Sequence, residues 1–322
     1  MKKWLKRTAL FLVYFLVFNI VTVPFSLAFG PFDRLREMVM ESIVNSRRGY
    51  LLASRFLPAE VLEKYINERL QAAEQIAESE SKPVNFVNKH DPTIELKEIK
   101  SSKFEGKLLI VHDPTRVKVV MTQTPGKQGE RVSDMVKRVG AIAGINGGGF
   151  YDLNWEGNGG LPQGPVIHNG KIIYQGAVAA DQVLIALDRE GRLLLKSGNH
   201  TYTQEEIDRL GIMEGVSFGP VLVANGRGRI IGDGGWGTAP RTAIGQRADG
   251  AILMLVIDGR RLHSIGATLK DVQDIMLHYG AVTAVNLDGG SSTTMVYEGE
   301  VINVPANPLG ERYVPTAFVV MP

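Results

Sequence analysis

Cysteine is absent from the 322 residues. That excludes disulfides, thiolate metal sites and a cysteine nucleophile. Neither charge is in excess: 36 Lys and Arg face 34 Asp and Glu, a formal net charge of +2. Four of the positive charges, Lys2, Lys3, Lys6 and Arg7, stand in the first seven residues. The rest is close to neutral, which leaves no broad nucleic-acid footprint. There is no internal repeat and no long low-complexity tract. The six histidines, His90, His112, His168, His200, His263 and His278, show no metal-ligand spacing.

Glycine is abundant instead: 36 of 322 residues, about 11% against the usual roughly 7%. The glycines cluster in short runs, as tight turns and close backbone approach to a ligand require. A second abundance is apolar. Thr8–Gly30 holds no charged residue and follows the basic cluster. About two dozen such residues are long enough to cross a bilayer as a helix, with the N-terminus inside and the remainder outside. The alternative is a signal peptide cleaved after Ala28, with Ser26 and Ala28 as the small residues of the site. The expected organisation is an anchor over 1–30, a helical stalk and linker over 31–83, and a catalytic domain over 84–322. In the stalk, helices are expected at Phe32–Arg48 and from Pro58. The polar run Glu78–Pro83 serves as linker.

From there the texture is α+β. Ile94–Ile99, Lys107–His112 and Val117–Thr122 read as strands. Asn169-Gly170, Glu190-Gly191 and Glu298-Gly299 read as hairpin turns. Helices are expected from Ser133, from Thr203 with Glu206 completing a capping box, and from Thr268 to about Tyr279 with Gly280 past its end. The expected architecture is a large mixed β-sheet core with interleaved helices, preceded by the transmembrane helix and stalk.

Four junctions after expected strands carry the candidate chemistry. In Gly144–Asp152, Asn146 precedes Gly147, Gly148 and Gly149, whose N–H groups suit an anion; a structural turn is the alternative. In Pro240–Gly245, Arg241 suits bidentate contact with a phosphate, or an ordinary salt bridge. The apolar run Ala251–Ile257 ends in Asp258, as a functional carboxylate or an Asx turn. In Ala284–Met295, Asn286 and Asp288 share one strand face. Gly289, Gly290, Ser291, Ser292, Thr293 and Thr294 then supply backbone and hydroxyl donors. A serine triad fits poorly, and no Gly-x-Ser-x-Gly elbow is expected. His263 and His278 flank the last two as minor candidates for proton transfer.

Taken in order, the motifs resemble the phosphodiester glycosidase family, enzymes similar to N-acetylglucosamine-1-phosphodiester alpha-N-acetylglucosaminidase, with bacterial members tied to exopolysaccharide. The resemblance rests on Asn146–Phe150, Gly219-Pro220, Pro240–Gly245, Asp258–Arg260, Gly266–Leu269, Asn286–Thr294, Glu311-Arg312 and Pro315–Ala317. Ser291 departs from it, standing where the family has a third glycine. The resemblance implies a hydrolase that releases a sugar from a phosphodiester at the anomeric carbon, with an envelope or extracellular phosphorylated glycan as substrate. Asp288 would be base or nucleophile, Asp258 a second carboxylate and Arg241 the phosphate holder. Asn146, Gly147, Gly148, Asn286, Gly289, Gly290, Ser292 and Thr293 would bind substrate. No cofactor is required; a divalent ion suits Asp152, Asp258 and Asp288, though nothing in the spacing demands one. The alternatives are a non-catalytic tethered module that binds glycan or phosphate, and a plain phosphodiesterase.

Overall fold

A computed structural model describes residues 2–29, 54–55, 59–60, 62–63, 81–151, 158–177, 182–198 and 200–322. The chain divides into two compact units, 1–67 and 68–322. In the first, Lys2–Phe29 is a single 28-residue helix. Leu10–Val17 of this helix are exposed, and Thr8, Asn19 and Thr22 each bond the carbonyl four residues back. The expected membrane crossing is not borne out: among the described residues no helix is long and apolar enough to cross a membrane. The unbroken apolar run Leu10–Phe18 stops at Asn19, well short of the roughly 20 residues a span needs. The expected stalk helices, Phe32–Arg48 and that from Pro58, lie almost wholly outside the described residues. Ser81 and Lys82, read as linker, are bonded to Thr283 and Asn225 of the second unit.

The second unit is α+β, but its sheets are antiparallel rather than one mixed sheet. The largest has seven strands, in spatial order Ile94–Lys100, Glu105–Val111, Ile252–Ile257, Arg241–Arg247, Ala281–Leu287, Val221–Ala224 and Arg227–Gly228. A five-stranded sheet runs Leu193–Ser197, Val183–Asp188, Ile212–Phe218, Val166–His168, Lys171–Tyr174. Another runs Glu300–Val301, Met295–Tyr297, Ala143–Asn146, Thr316–Val320, Val117–Met121. Every strand pairing among the described residues is antiparallel. Short hairpins account for the pairs that follow one another in sequence, while strands such as Ala143–Asn146 and Thr316–Val320 pair across most of the domain.

Ile252–Ile257 shows why the apolar run became a central strand. Ile252, Met254 and Val256 enter the core shared by the three sheets, whereas Leu253, Leu255 and Ile257 pack under the helix Leu269–His278. All six are fully buried, each contributing roughly 1.5–3 kcal/mol of apolar burial. With both faces covered, no polar alternation survives. The helix starts at Thr268, whose side chain and Asp271 form a reciprocal capping box. Thr203 and Glu206 do the same for Gln204–Leu210. The turns Asn169-Gly170 and Glu298-Gly299 both have positive φ at each residue, as the expected two-residue hairpins require.

This topology gathers the site. Arg241 pairs with Ile257 and Thr242 with Leu287, so Arg241, Asp258 and Asp288 leave the large sheet at one edge. In the third sheet Asn146 pairs with Ala317 and ends its strand at the same place.

Candidate active site

Asn146 fastens the sheets together. It is fully buried, and its Nδ2 donates to the backbone carbonyl of Asp288 at 2.5 Å. Its Oδ1 accepts from the Thr242 hydroxyl at 2.8 Å and from the Thr294 N–H at 3.1 Å. The Thr242 hydroxyl lies 3.3 Å from that of buried Thr293. With its amide so engaged, Asn146 positions the Asp288 segment from below.

The three glycines after Asn146 are also turned inward. The Gly147 N–H donates to the Thr316 carbonyl (2.9 Å), that of Gly148 to the Thr316 hydroxyl (3.1 Å) and that of Gly149 to the Ser217 carbonyl (3.1 Å). A Cβ on Gly148 would stand 2.7 Å from the Ser217 carbonyl. Close backbone packing, rather than an anion cradle, explains the run.

Asp288 itself is only half-buried, and Gly289 and Gly290 beside it stay partly open. Gly290 has φ 61 and begins the 3-10 turn Gly290–Ser292; its N–H donates to the Pro240 carbonyl at 2.8 Å. Burial pushes the Asp288 carboxyl up to about 6, against the opposing pull of the Ser292 hydroxyl, Arg312, the Gly289 N–H and Arg260. The side chain is thus an ionised carboxylate at neutral pH, poised near its titration point.

Two arginines that the sequence reading had not singled out as site residues face this carboxylate. Arg260, itself in the left-handed region at φ 58, brings its guanidinium so close that a Cβ on Gly290 would lie 3.2 Å from Nη2. Arg312 lies over the Phe150 ring, 4.9 Å from its centroid, and donates from Nη1 to the Ser291 hydroxyl at 3.1 Å. Burial, then the nearby Arg312 charge, hold the Arg260 guanidinium below its usual value, while Asp288 opposes them. Like charges brought together in this way suit an anionic ligand. Ser291 has no positive φ, so a serine fits at the family's third glycine without backbone strain.

Arg241 has a different setting. It is buried, with Nε on the Ala267 carbonyl (3.0 Å) and Nη2 on those of Trp236 (3.0 Å) and Gly237 (2.6 Å). Burial and Arg260 lower it to about 10, so it stays charged at neutral pH. It holds the loop 236–240 rather than presenting a bidentate fork to a ligand.

Asp258 is buried too. Its Oδ1 accepts from Asn303 Nδ2 (3.1 Å) and the Val304 N–H (3.0 Å), and burial raises its carboxyl despite both. Asn303 Nδ2 also reaches the Thr293 carbonyl at 3.2 Å, which links Asp258 to the Asp288 loop. Asn286 is buried, with Nδ2 on the Gly219 carbonyl (3.0 Å) and Oδ1 unpaired. Ser292 and Thr293 are buried as well. Of the expected residues, then, Asp288, Gly289 and Gly290 reach the surface; the others support them.

Gly215-Val216-Ser217-Phe218-Gly219 does have Gly-x-Ser-x-Gly spacing. Its first four residues lie in the strand Ile212–Phe218, with Ser217 fully buried and its hydroxyl unpaired, not on an exposed elbow. His263 is exposed on the Arg260 loop, and His278 closes the helix Leu269–His278. Among the described residues no group of three or more His, Asp or Glu is placed to hold a metal; Asp152 lies outside them. A groove of about 400 Å3 lined by Lys118, Met121, Arg138, His168 and Ile173 involves none of the four junctions.

The family model described as phosphodiester glycosidase matches residues 139–321. The chain is 30% identical over 201 residues to the SPbeta prophage-derived uncharacterized protein YomE of Bacillus subtilis, covering 60% of this chain and 30% of that protein. Over 67 residues it is 34% identical to the Bos taurus N-acetylglucosamine-1-phosphodiester alpha-N-acetylglucosaminidase, covering 21% of this chain and 12% of that one. The chain thus spans less than a third of either relative's length. The fold is shared with the catalytic domain of the zebrafish N-acetylglucosamine-1-phosphodiester alpha-N-acetylglucosaminidase, auto-inhibited by its pro-peptide. There the TM-score is 0.60 at 21% identity, covering 76% of this chain and 89% of that one.

Proposed function

As the chain belongs to the phosphodiester glycosidase family, we propose that it hydrolyses sugar 1-phosphodiesters at the anomeric carbon. One observation carries this: the Asp288 carboxyl, raised to about 6, feels the positive charges of both Arg260 and Arg312. Arg260 and Arg312 hold the phosphate and stabilise its negative charge as it departs. The bond from C1 to the bridging phosphate oxygen breaks and its electron pair leaves with the phosphate monoester. Water supplies the oxygen that bonds to C1, and the Asp288 carboxylate takes the proton. A phosphate monoester leaves more readily than an alcohol, so no strong general acid is needed. Asp258 acts as a positioning residue, through Asn303.

We further propose that the domain works outside the cytoplasm on glycan phosphodiesters. The support is the basic cluster Lys2–Arg7 at the head of an apolar helix. Release after Ala28 is tested by N-terminal sequencing of the protein recovered from the medium.

The function is tested by offering aryl- and alkyl-phosphate esters of several sugars at C1 and identifying the products. Free sugar plus a phosphate monoester supports it. Sugar 1-phosphate as product would make the protein a plain phosphodiesterase. Binding without turnover, unchanged in Asp288→Asn, would make it a binding module.

A further inference from the structure

The two loops that bring Arg260 and Arg312 to Asp288 carry apolar side chains in water. The first, 259–266, holds Arg260. It is tightly built: the Arg261 N–H donates to the Ser264 carbonyl (2.9 Å), the Ser264 N–H returns the bond (3.2 Å), and the Ser264 hydroxyl donates to the Asp258 carbonyl (2.7 Å). Its turn holds Leu262 outward at 92% exposure, with Ile265 at 51%. The second, 304–312, begins at Val304, bonded to Asp258, and ends at Arg312. It carries Leu309 at 88% exposure. Among the described residues of 81–322, the only other large apolar side chains exposed above three quarters are Val87 (85%) and Ile231 (78%). Ile231 stands on 229–240, the loop that leads into Arg241.

The charges around Leu262 select its partner. Arg260 and Arg261 precede it, and Lys103, whose carbonyl accepts the Ile265 N–H at 2.9 Å, is also exposed; Glu105 is the exposed carboxylate on the same segment. Exposed leucines set among cations suit the boundary between anionic headgroups and acyl chains.

We propose that these two loops dock on an anionic lipid surface, with Leu262 and Leu309 entering the interface and Arg261 and Lys103 meeting headgroup phosphates. This stands whether or not the Asp288 site proves hydrolytic. The absence of cysteine makes a position-specific test direct. Leu262→Cys, Leu309→Cys and Val87→Cys, each in the full chain, are labelled with the polarity-sensitive fluorophore nitrobenzoxadiazole. All three sites are exposed, so the fold tolerates them. Val87 is the control: its neighbour Phe86 packs at Gly250, at the far end of the strands from Asp258.

Vesicles of equal parts phosphatidylcholine and phosphatidylglycerol are expected to shift the emission of labels 262 and 309 to the blue and to expose both to lipid-borne quenchers. Label 87 stays unchanged, and phosphatidylcholine vesicles or high salt weaken the response. Unchanged labels at 262 and 309, or an equal response at all three positions, would overturn the proposal. A blue shift without vesicles that grows with protein concentration would overturn it in favour of a second copy of this chain.

Discussion

Asn146 and Asp288, 142 residues apart, are joined by one hydrogen bond of 2.5 Å from side-chain amide to backbone carbonyl. The bond fixes where the Asp288 strand ends. Asn146→Ala would leave the Asp288 carbonyl and the Thr294 N–H short of a partner, with the Thr242 hydroxyl turning to Thr293. At about 1–3 kcal/mol for each of the two groups, a stability loss of roughly 2–5 kcal/mol is expected, read from denaturant midpoints, with sugar release falling in parallel.

The raised Asp288 carboxyl makes both stability and activity depend on pH. Its value is about 6, against 3.8 for an ordinary aspartate. The folded state therefore holds a proton that the unfolded state has lost. Stability from this group is fully present below pH 3.8 and is lost as pH rises through about 6, a difference of about 3 kcal/mol. Asp288→Asn should lose turnover yet gain stability relative to the parent between pH 4 and 7. Turnover of the parent should climb with pH to a plateau above about 6. A profile flat from pH 4 to 8 would remove Asp288 as the base.

The three arginines should separate by assay. Arg241→Lys cannot serve three carbonyls with one ammonium; a loss of about 3 kcal/mol in stability is expected. Arg260→Ala and Arg312→Ala should leave the thermal midpoint nearly unchanged and lower kcat/KM by about a hundredfold each, in line with removal of a charge-stabilising donor. The reverse pattern would put the phosphate on Arg241.

Ser291→Gly tests the residue that departs from the family motif. Its hydroxyl accepts from Arg312. Losing a bond worth about 1 kcal/mol should lower kcat/KM roughly fivefold, and Ser291→Thr should retain the activity of the parent.

Much of the scaffold could be read from local residues. Asn169-Gly170 fixed its hairpin because both residues tolerate positive φ, and Thr203 with Glu206 fixed a helix start because each satisfies the other's backbone. Ile252–Ile257 declared itself by having no polar position. What failed depended on distant partners. Gly147–Gly149 look like an anion nest until Thr316 and Ser217 arrive to take the N–H groups. Arg241 looks like a ligand-binding arginine because nothing in Pro240–Gly245 reveals that the loop before it folds its carbonyls back. Arg260 and Arg312 were within motifs already noted, but only loop closure brings both to Asp288. The antiparallel order of the sheets was hidden for the same reason, since strand neighbours such as Asn146 and Ala317 come from opposite ends of the domain.

Asp258 roots both arginine-bearing loops, one through its carbonyl and the other through its carboxylate. They therefore form a cassette. Grafted together with Asp258 and Asn303 from one relative to another, they should bring the donor's pair of guanidinium groups and its exposed leucines into the recipient; transplanted singly, either would arrive without its anchor.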